Sequence, residues 1–139
     1  MPLVVDASMA LAWCYPDERS EATDAVLDDA RAATVVVPPH FPAEVANALW
    51  AGLRSERLEE ELMDAFVEAL AALDIQVDAG PDIARLGDVA KGALKNKLTA
   101  YDNAYLELAH MLRCPLGTLD KELARAARHV GIPVVGLDA

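Results

Sequence analysis

Five short apolar runs, most of them rich in β-branched residues, are spaced along the chain with a helical pattern in every gap between them. That alternation constrains the fold more than anything else in the sequence. Leu3 to Asp6, Thr34 to Val37, Ile75 to Val77, Cys114 to Leu119 and Ile132 to Leu137 read as strands. Helices are expected over Ser8 to Tyr15, Ser20 to about Ala33, and the segment FPAEVANALWAGLRSERL, where Val45, Leu49, Trp50 and Leu53 recur at inward-facing spacing. Four more follow in EEELMDAFVEALAAL, Asp82 to about Lys95, Thr99 to Arg113, and Asp120 to Val130. Strands that alternate with helices over the whole length predict a mainly parallel central sheet covered on both faces, a three-layer α/β/α domain. A chain of 139 residues is one ordinary domain, expected to run over residues 1–139 without linker or repeat.

Several function classes are excluded early. No apolar run reaches the roughly eighteen residues that a membrane span needs. The opening MPLVVD lacks the basic flank and long apolar core of a secretion signal, so a cytoplasmic protein is expected. Cys14 and Cys114 are too few for a disulfide framework and read as buried thiols, and His40, His110 and His129 have no metal-ligand spacing. The net charge of −11 should repel a polyanion such as RNA unless something local reverses the sign.

Four acids stand at ends of elements. Asp6 closes the first strand and Asp120 follows the strand that ends in Thr118-Leu119, while Glu44 and Asp102 begin helices. Each has a purely local explanation. Asp6 and Asp120 can cap the helices that follow, Glu44 sits in a first turn after Pro42, and Thr99 and Asp102 have capping-box spacing. Together they suggest more. In a parallel sheet, ligands bind beyond the carboxyl ends of the strands where strand order reverses. Apolar neighbours such as Val5, Val45, Tyr101 and Leu119 would make that rim partly dry, where carboxylates repel unless a cation intervenes. Oxygen ligands without Cys or His suit Mg²⁺, or Mn²⁺.

The segments VVDASMAL, VPPHFPAEVANAL, LTAYDNAYLELA and GTLDKELARAA with GIPVVGL occur in this order across nearly the whole chain. As a set they resemble the PIN-domain ribonucleases, specifically the VapC toxins of toxin-antitoxin pairs. The resemblance implies a PIN-like fold and an acidic catalytic pocket of Asp6, Glu44, Asp102 and Asp120, with Asp6 and Asp102 as metal ligands. Ser8, Asn47 and Thr118 would be supporting groups. One departure is Asn103, where the family commonly has a small residue after the aspartate.

What the resemblance implies for function is a Mg²⁺-dependent endoribonuclease that leaves 3′-hydroxyl and 5′-phosphate ends on tRNA or rRNA. It also implies a homodimer and a cognate antitoxin protein whose basic residue enters the pocket. Lys91, Lys95 and Lys97, with Lys121, Arg125 and Arg128, are either a track for the RNA backbone or a solvated face. Apolar residues around Ala22, Val26, Trp50, Leu53, Leu62 and Phe66 either line a partner groove or pack in the core, and core packing is expected for Trp50. Two rivals are a catalytically silent PIN-fold binding subunit and a Mg²⁺-binding receiver-like signalling module. The latter wants paired acids after the first strand, but Asp6 is followed by Ala7, and Ser8 rules out an Asp-x-Asp phosphatase.

Overall fold

The computed structural model describes residues 1–137. Strand β1 (Pro2–Val5) leads through α1 (Ala7–Ala12) and α2 (Glu21–Arg31) to β2 (Thr34–Val37). Helices α3 (Phe41–Arg54) and α4 (Glu60–Ala71) precede β3 (Ile75–Val77). A short 3₁₀ turn then enters α5 (Leu86–Asn96) and α6 (Ala100–Leu112), followed by β4 (Leu116–Gly117), α7 (Lys121–His129) and β5 (Val134–Val135). The sheet has the order β3-β2-β1-β4-β5 and every pair is parallel, which makes this the expected three-layer α/β/α fold.

A strand covered on both faces needs apolar residues at every position, and the β1 and β2 sequences LVV and TVVV supply them. Val4, Val5, Val35, Val37 and Leu116 are fully buried, with Met9 of α1, Tyr105 of α6 and Leu123 of α7 packed over them. Register pairs Leu3 with Val35 and Val4 with Leu116, so β1 lies at the centre. The chain winds outward from β1 to β3 and then returns to the other side of β1 for β4. Strand order therefore reverses between β1 and β4, and the crevice at their carboxyl ends is where this architecture binds ligands.

Two expectations are corrected. Trp50 does not pack in the core; it is 54% exposed. The buried stripe of α3 runs Phe41, Val45, Leu49 and Gly52, at three- and four-residue steps that leave position 50 on the outside. There the indole carries the Arg54 guanidinium at 5.4 Å from its ring centre. The last two strands are also shorter than their apolar runs, because the sheet pairs only Leu116–Gly117 with Val134–Val135. Both cysteines are buried free thiols, although each lies just past a helix rather than within one. Among the described residues, no helix is long and apolar enough to cross a membrane.

Gly52 is where α3 meets its neighbours most tightly. A Cβ there would overlap the Tyr15 hydroxyl and stand 3.0 Å from Leu58 Cβ. Gly52→Ala should therefore lose stability despite better helix propensity, by a net of about 1–2 kcal/mol. A urea midpoint that stays put or rises would show that Tyr15 moves aside freely.

Candidate active site

Asp6 follows β1 directly, and its backbone amide extends the ladder to the Gly117 carbonyl of β4 at 3.0 Å. The side chain is 4% exposed. Oδ1 accepts hydrogen bonds from the Met9 amide at 3.0 Å, as the cap of α1, and from Ser8 Oγ at 2.7 Å. Oδ2 accepts from Thr118 Oγ1. Each hydroxyl also receives a backbone bond from the segment after β4: Leu119 N donates across to Ser8 Oγ and Asp120 N donates locally to Thr118 Oγ1, both at 3.0 Å. Ser8 and Thr118 thus fasten the ends of β1 and β4 together around one carboxylate.

Burial pushes the Asp6 carboxyl up from its ordinary 3.8 to about 6; the three hydrogen bonds oppose this and the Asp120 charge adds to it. Asp120 itself caps α7, with Oδ1 accepting from the Leu123 amide at 3.0 Å. Asp102 stands in the first turn of α6, whose cap is Thr99, with the Asp102 amide donating to Thr99 Oγ1 at 3.1 Å. Its carboxyl is also pushed up, by burial first and then by the charges of Asp120 and Glu44, with the Thr99 bond and His40 acting against the rise.

Glu44 reaches the same neighbourhood from the first turn of α3. Its Oε1 accepts a hydrogen bond from the Tyr105 hydroxyl at 2.6 Å and lies 3.3 Å from His40 Nε2. The imidazole packs against both Tyr101 and Tyr105, with ring centres 5.1 and 5.2 Å away. Burial, then the bond to Glu44 and the charges of Glu44, Asp6 and Asp102, push the Tyr105 hydroxyl up and keep it a donor. Neither His40 nor Tyr105 was assigned a role from sequence. The four-residue step from His40 to Glu44 and the three-residue step from Asp102 to Tyr105 were the available signals.

These mutual influences place four acids, remote in sequence, in one electrostatic neighbourhood at the switch point. None of the four is ion-paired with a lysine or arginine among the described residues. Asn47 is exposed and makes no side-chain hydrogen bond among the described residues. Of the basic clusters, Arg125 pairs with Glu122 at 3.0 Å and the lysines are exposed. Among the described residues no three His, Cys, Asp or Glu side chains are grouped tightly enough to cage an ion.

An all-parallel α/β/α domain with acids gathered at its strand-order reversal is the arrangement expected of a PIN domain. The chain belongs to the PIN-domain family, whose model matches residues 3–129. It is 35% identical over 124 residues to Ribonuclease VapC3 of Pyrobaculum aerophilum, covering 89% of this chain and 93% of that protein. The fold is shared with the crystal structure of PAE2754 from the same organism, with TM-score 0.68, 24% identity and coverage of 96% and 92% of the two chains. FitAcB of Neisseria gonorrhoeae has TM-score 0.56, 18% identity and coverage of 95% of each chain.

Proposed function

We propose that this protein is a Mg²⁺-dependent endoribonuclease, the toxin of a toxin-antitoxin pair, acting on RNA phosphodiester bonds. The VapC-type relative supports the nuclease activity. The observation that carries the metal dependence is the gathering of two partly or fully buried carboxylates, Asp6 and Asp102, with the charges of Glu44 and Asp120 near them and no lysine or arginine paired to any of the four among the described residues. A phosphodiester is an anion, and it approaches such a rim only when the local charge has been reversed.

Asp6 and Asp102 are the residues to hold the ion, with Mn²⁺ as a substitute. When bound, a divalent cation polarises the phosphoryl oxygen and lowers the pKa of a water. The chain's own residues do the rest. Ser8 and Thr118 keep Asp6 from rotating. The Tyr105 hydroxyl occupies Oε1 of Glu44 while His40 Nε2, beside it, bonds to the Tyr101 carbonyl at 3.1 Å, which leaves Oε2 to orient the attacking water and receive its proton. Asp120 adds its charge beside Asp6 and Asp102 and completes the negative wall that a bound cation would offset.

The overall charge disfavours indiscriminate RNA binding, which supports a selective enzyme acting on a structured RNA such as tRNA or rRNA. The same charge would speed capture by a basic antitoxin. A cleft of about 440 Å³ between α1 and α3, with Ser8 and Leu119 at one end and Tyr15 and Arg57 at the other, gives such a segment a route to the acids. A homodimer is the accompanying expectation for the assembly.

The test is incubation of total cellular RNA with the protein, with and without Mg²⁺. Cutting at few sites, dependent on the ion and absent in Asp102→Asn, is the expected result; undiminished cutting by that variant would mean another active centre. Tyr105→Phe separates the positioning role. It deletes one hydroxyl, keeps the buried ring, and should lower kcat about tenfold with KM little changed, since a neutral orienting bond is at stake. An unchanged kcat would show that Glu44 needs no holding.

A further inference from the structure

Beside the acid crevice, on the same rim, lies a cleft of about 530 Å³ between α6 on one side and α5 with the segment leading into it on the other. Its size lies within the range of small-ligand sites, about 300–1,000 Å³. Pro38 and Pro39, at the end of β2, form one wall and Leu108 and Met111 of α6 another. Asn103, the residue next to Asp102 and the one departure from the family pattern, lines it. The side chain is 3% exposed and its Oδ1 accepts a hydrogen bond from Asn96 Nδ2 at 2.8 Å. That bond orients the amide, and Nδ2 donates to no group among the described residues. No fully buried side-chain nitrogen or oxygen among those residues lacks a partner, so Nδ2 must reach the surface, and the surface Asn103 meets is the cleft.

One turn further along α6, Glu107 lines the same cleft with an exposed carboxylate. Asn103 and Glu107 are four residues apart and share a helix face. The cleft thus presents one amide donor and one carboxylate acceptor side by side between apolar walls. Asp78 and Asp88 at its margin, against Arg85 alone, offer a phosphate no anion site inside the cleft and leave it to the solvent side. A neutral planar group is the fitting occupant. Guanine matches the pattern: its O6 accepts while N1–H and the 2-amino group donate together to a carboxylate, whereas adenine carries a donor at the position of O6.

Resting on the ribonuclease reading above, we infer that this cleft is a nucleobase subsite that selects an unpaired guanine next to the scissile phosphate, Asn103 donating to O6 and Glu107 accepting from the Watson–Crick edge. A substrate recognised this way is held by its base, which answers how so acidic a chain can select RNA without a cationic track.

Two measurements test it. In a ¹⁵N–¹H titration of the full chain, guanosine 5′-monophosphate should shift the Asn103 side-chain amide signals, and adenosine 5′-monophosphate should shift them far less. In cleavage of an unstructured adenosine-uridine RNA with a single guanosine, replacing that guanosine by adenosine should lower kcat/KM about ten- to a hundredfold. Asn103→Ala, which restores a small residue there, and the exposed Glu107→Gln should each bring the two substrates to within about threefold. Equal responses to the two nucleotides, or a guanine preference that survives both variants, would overturn the subsite. If guanosine monophosphate binds as expected but no RNA is cleaved with Mg²⁺ or Mn²⁺, the nuclease reading fails and the subsite stands.

Discussion

Asp6→Asn is expected to lower Mg²⁺-dependent RNA cleavage by about a thousandfold or more while making the protein harder to unfold at neutral pH. The activity side follows from charge. Asparagine keeps the shape and the oxygen that caps α1, so the Met9 bond survives, and its Nδ2 reverses the Thr118 bond by donating to the hydroxyl oxygen, but a neutral amide cannot hold a divalent ion against water. Losing several kcal/mol of charge stabilisation in the transition state gives a loss of that size. The stability side follows from linkage. The folded-state carboxyl titrates near 6 instead of 3.8, so between those values the folded protein holds a proton that the unfolded chain has released. Stability is greatest below about pH 4, falls as pH rises through 6, and the full difference is about 3 kcal/mol. A side chain that never ionises escapes this penalty. In urea titrations with chelator, Asp6→Asn should exceed the wild type by about 1–3 kcal/mol at pH 7.5 and match it near pH 4. Added Mg²⁺ should then stabilise the wild type and leave the variant unmoved. A variant less stable at both pH values would mean that the carboxylate is favourably solvated where it lies.

The architecture was legible because β-branched runs and helical periodicity carry it locally: TVVV cannot sit well in a helix, and the Ala/Leu spacing around Asp102 cannot sit in a strand. The four acids were legible as ends of elements, and the capping reading holds for Asp6 and Asp120. Asp6 caps α1 and also faces Thr118, so capping geometry is what aims the carboxylate. The misreading of Trp50 came from treating any apolar residue within an amphipathic window as inward. At 100° per residue, position 50 lies outside the stripe set by Val45 and Leu49, and the neighbouring Arg54 covers the ring instead. The roles of His40 and Tyr105 were invisible for a different reason. Tyr105 contacts Glu44 only because α3 and α6 meet over the sheet, a juxtaposition that no local pattern encodes, and His40, four residues before Glu44, packs on Tyr101 and Tyr105 through the same meeting of helices.

The same logic assigns a large and pH-dependent effect to Thr118. Its hydroxyl donates to Asp6 Oδ2 and accepts from the Asp120 amide, and the residue has no exposed surface. Thr118→Val keeps the volume and removes both bonds. Above pH 6 the variant has lost a hydrogen bond to a buried anion and left a backbone amide unsatisfied, together about 2–4 kcal/mol. Near pH 4 Asp6 is neutral in either protein, and the loss should shrink to the smaller, uncharged part. Since the Thr118 bond lowers the Asp6 pKa, its removal raises it further. The acid limb of the pH–rate profile should move to higher pH, with cleavage at pH 7 down about a hundredfold and partly recovered at pH 8.5. A stability loss equal at pH 4 and 7.5 would assign Thr118 to packing alone. An unshifted acid limb would mean that a different carboxyl must ionise for the reaction to proceed.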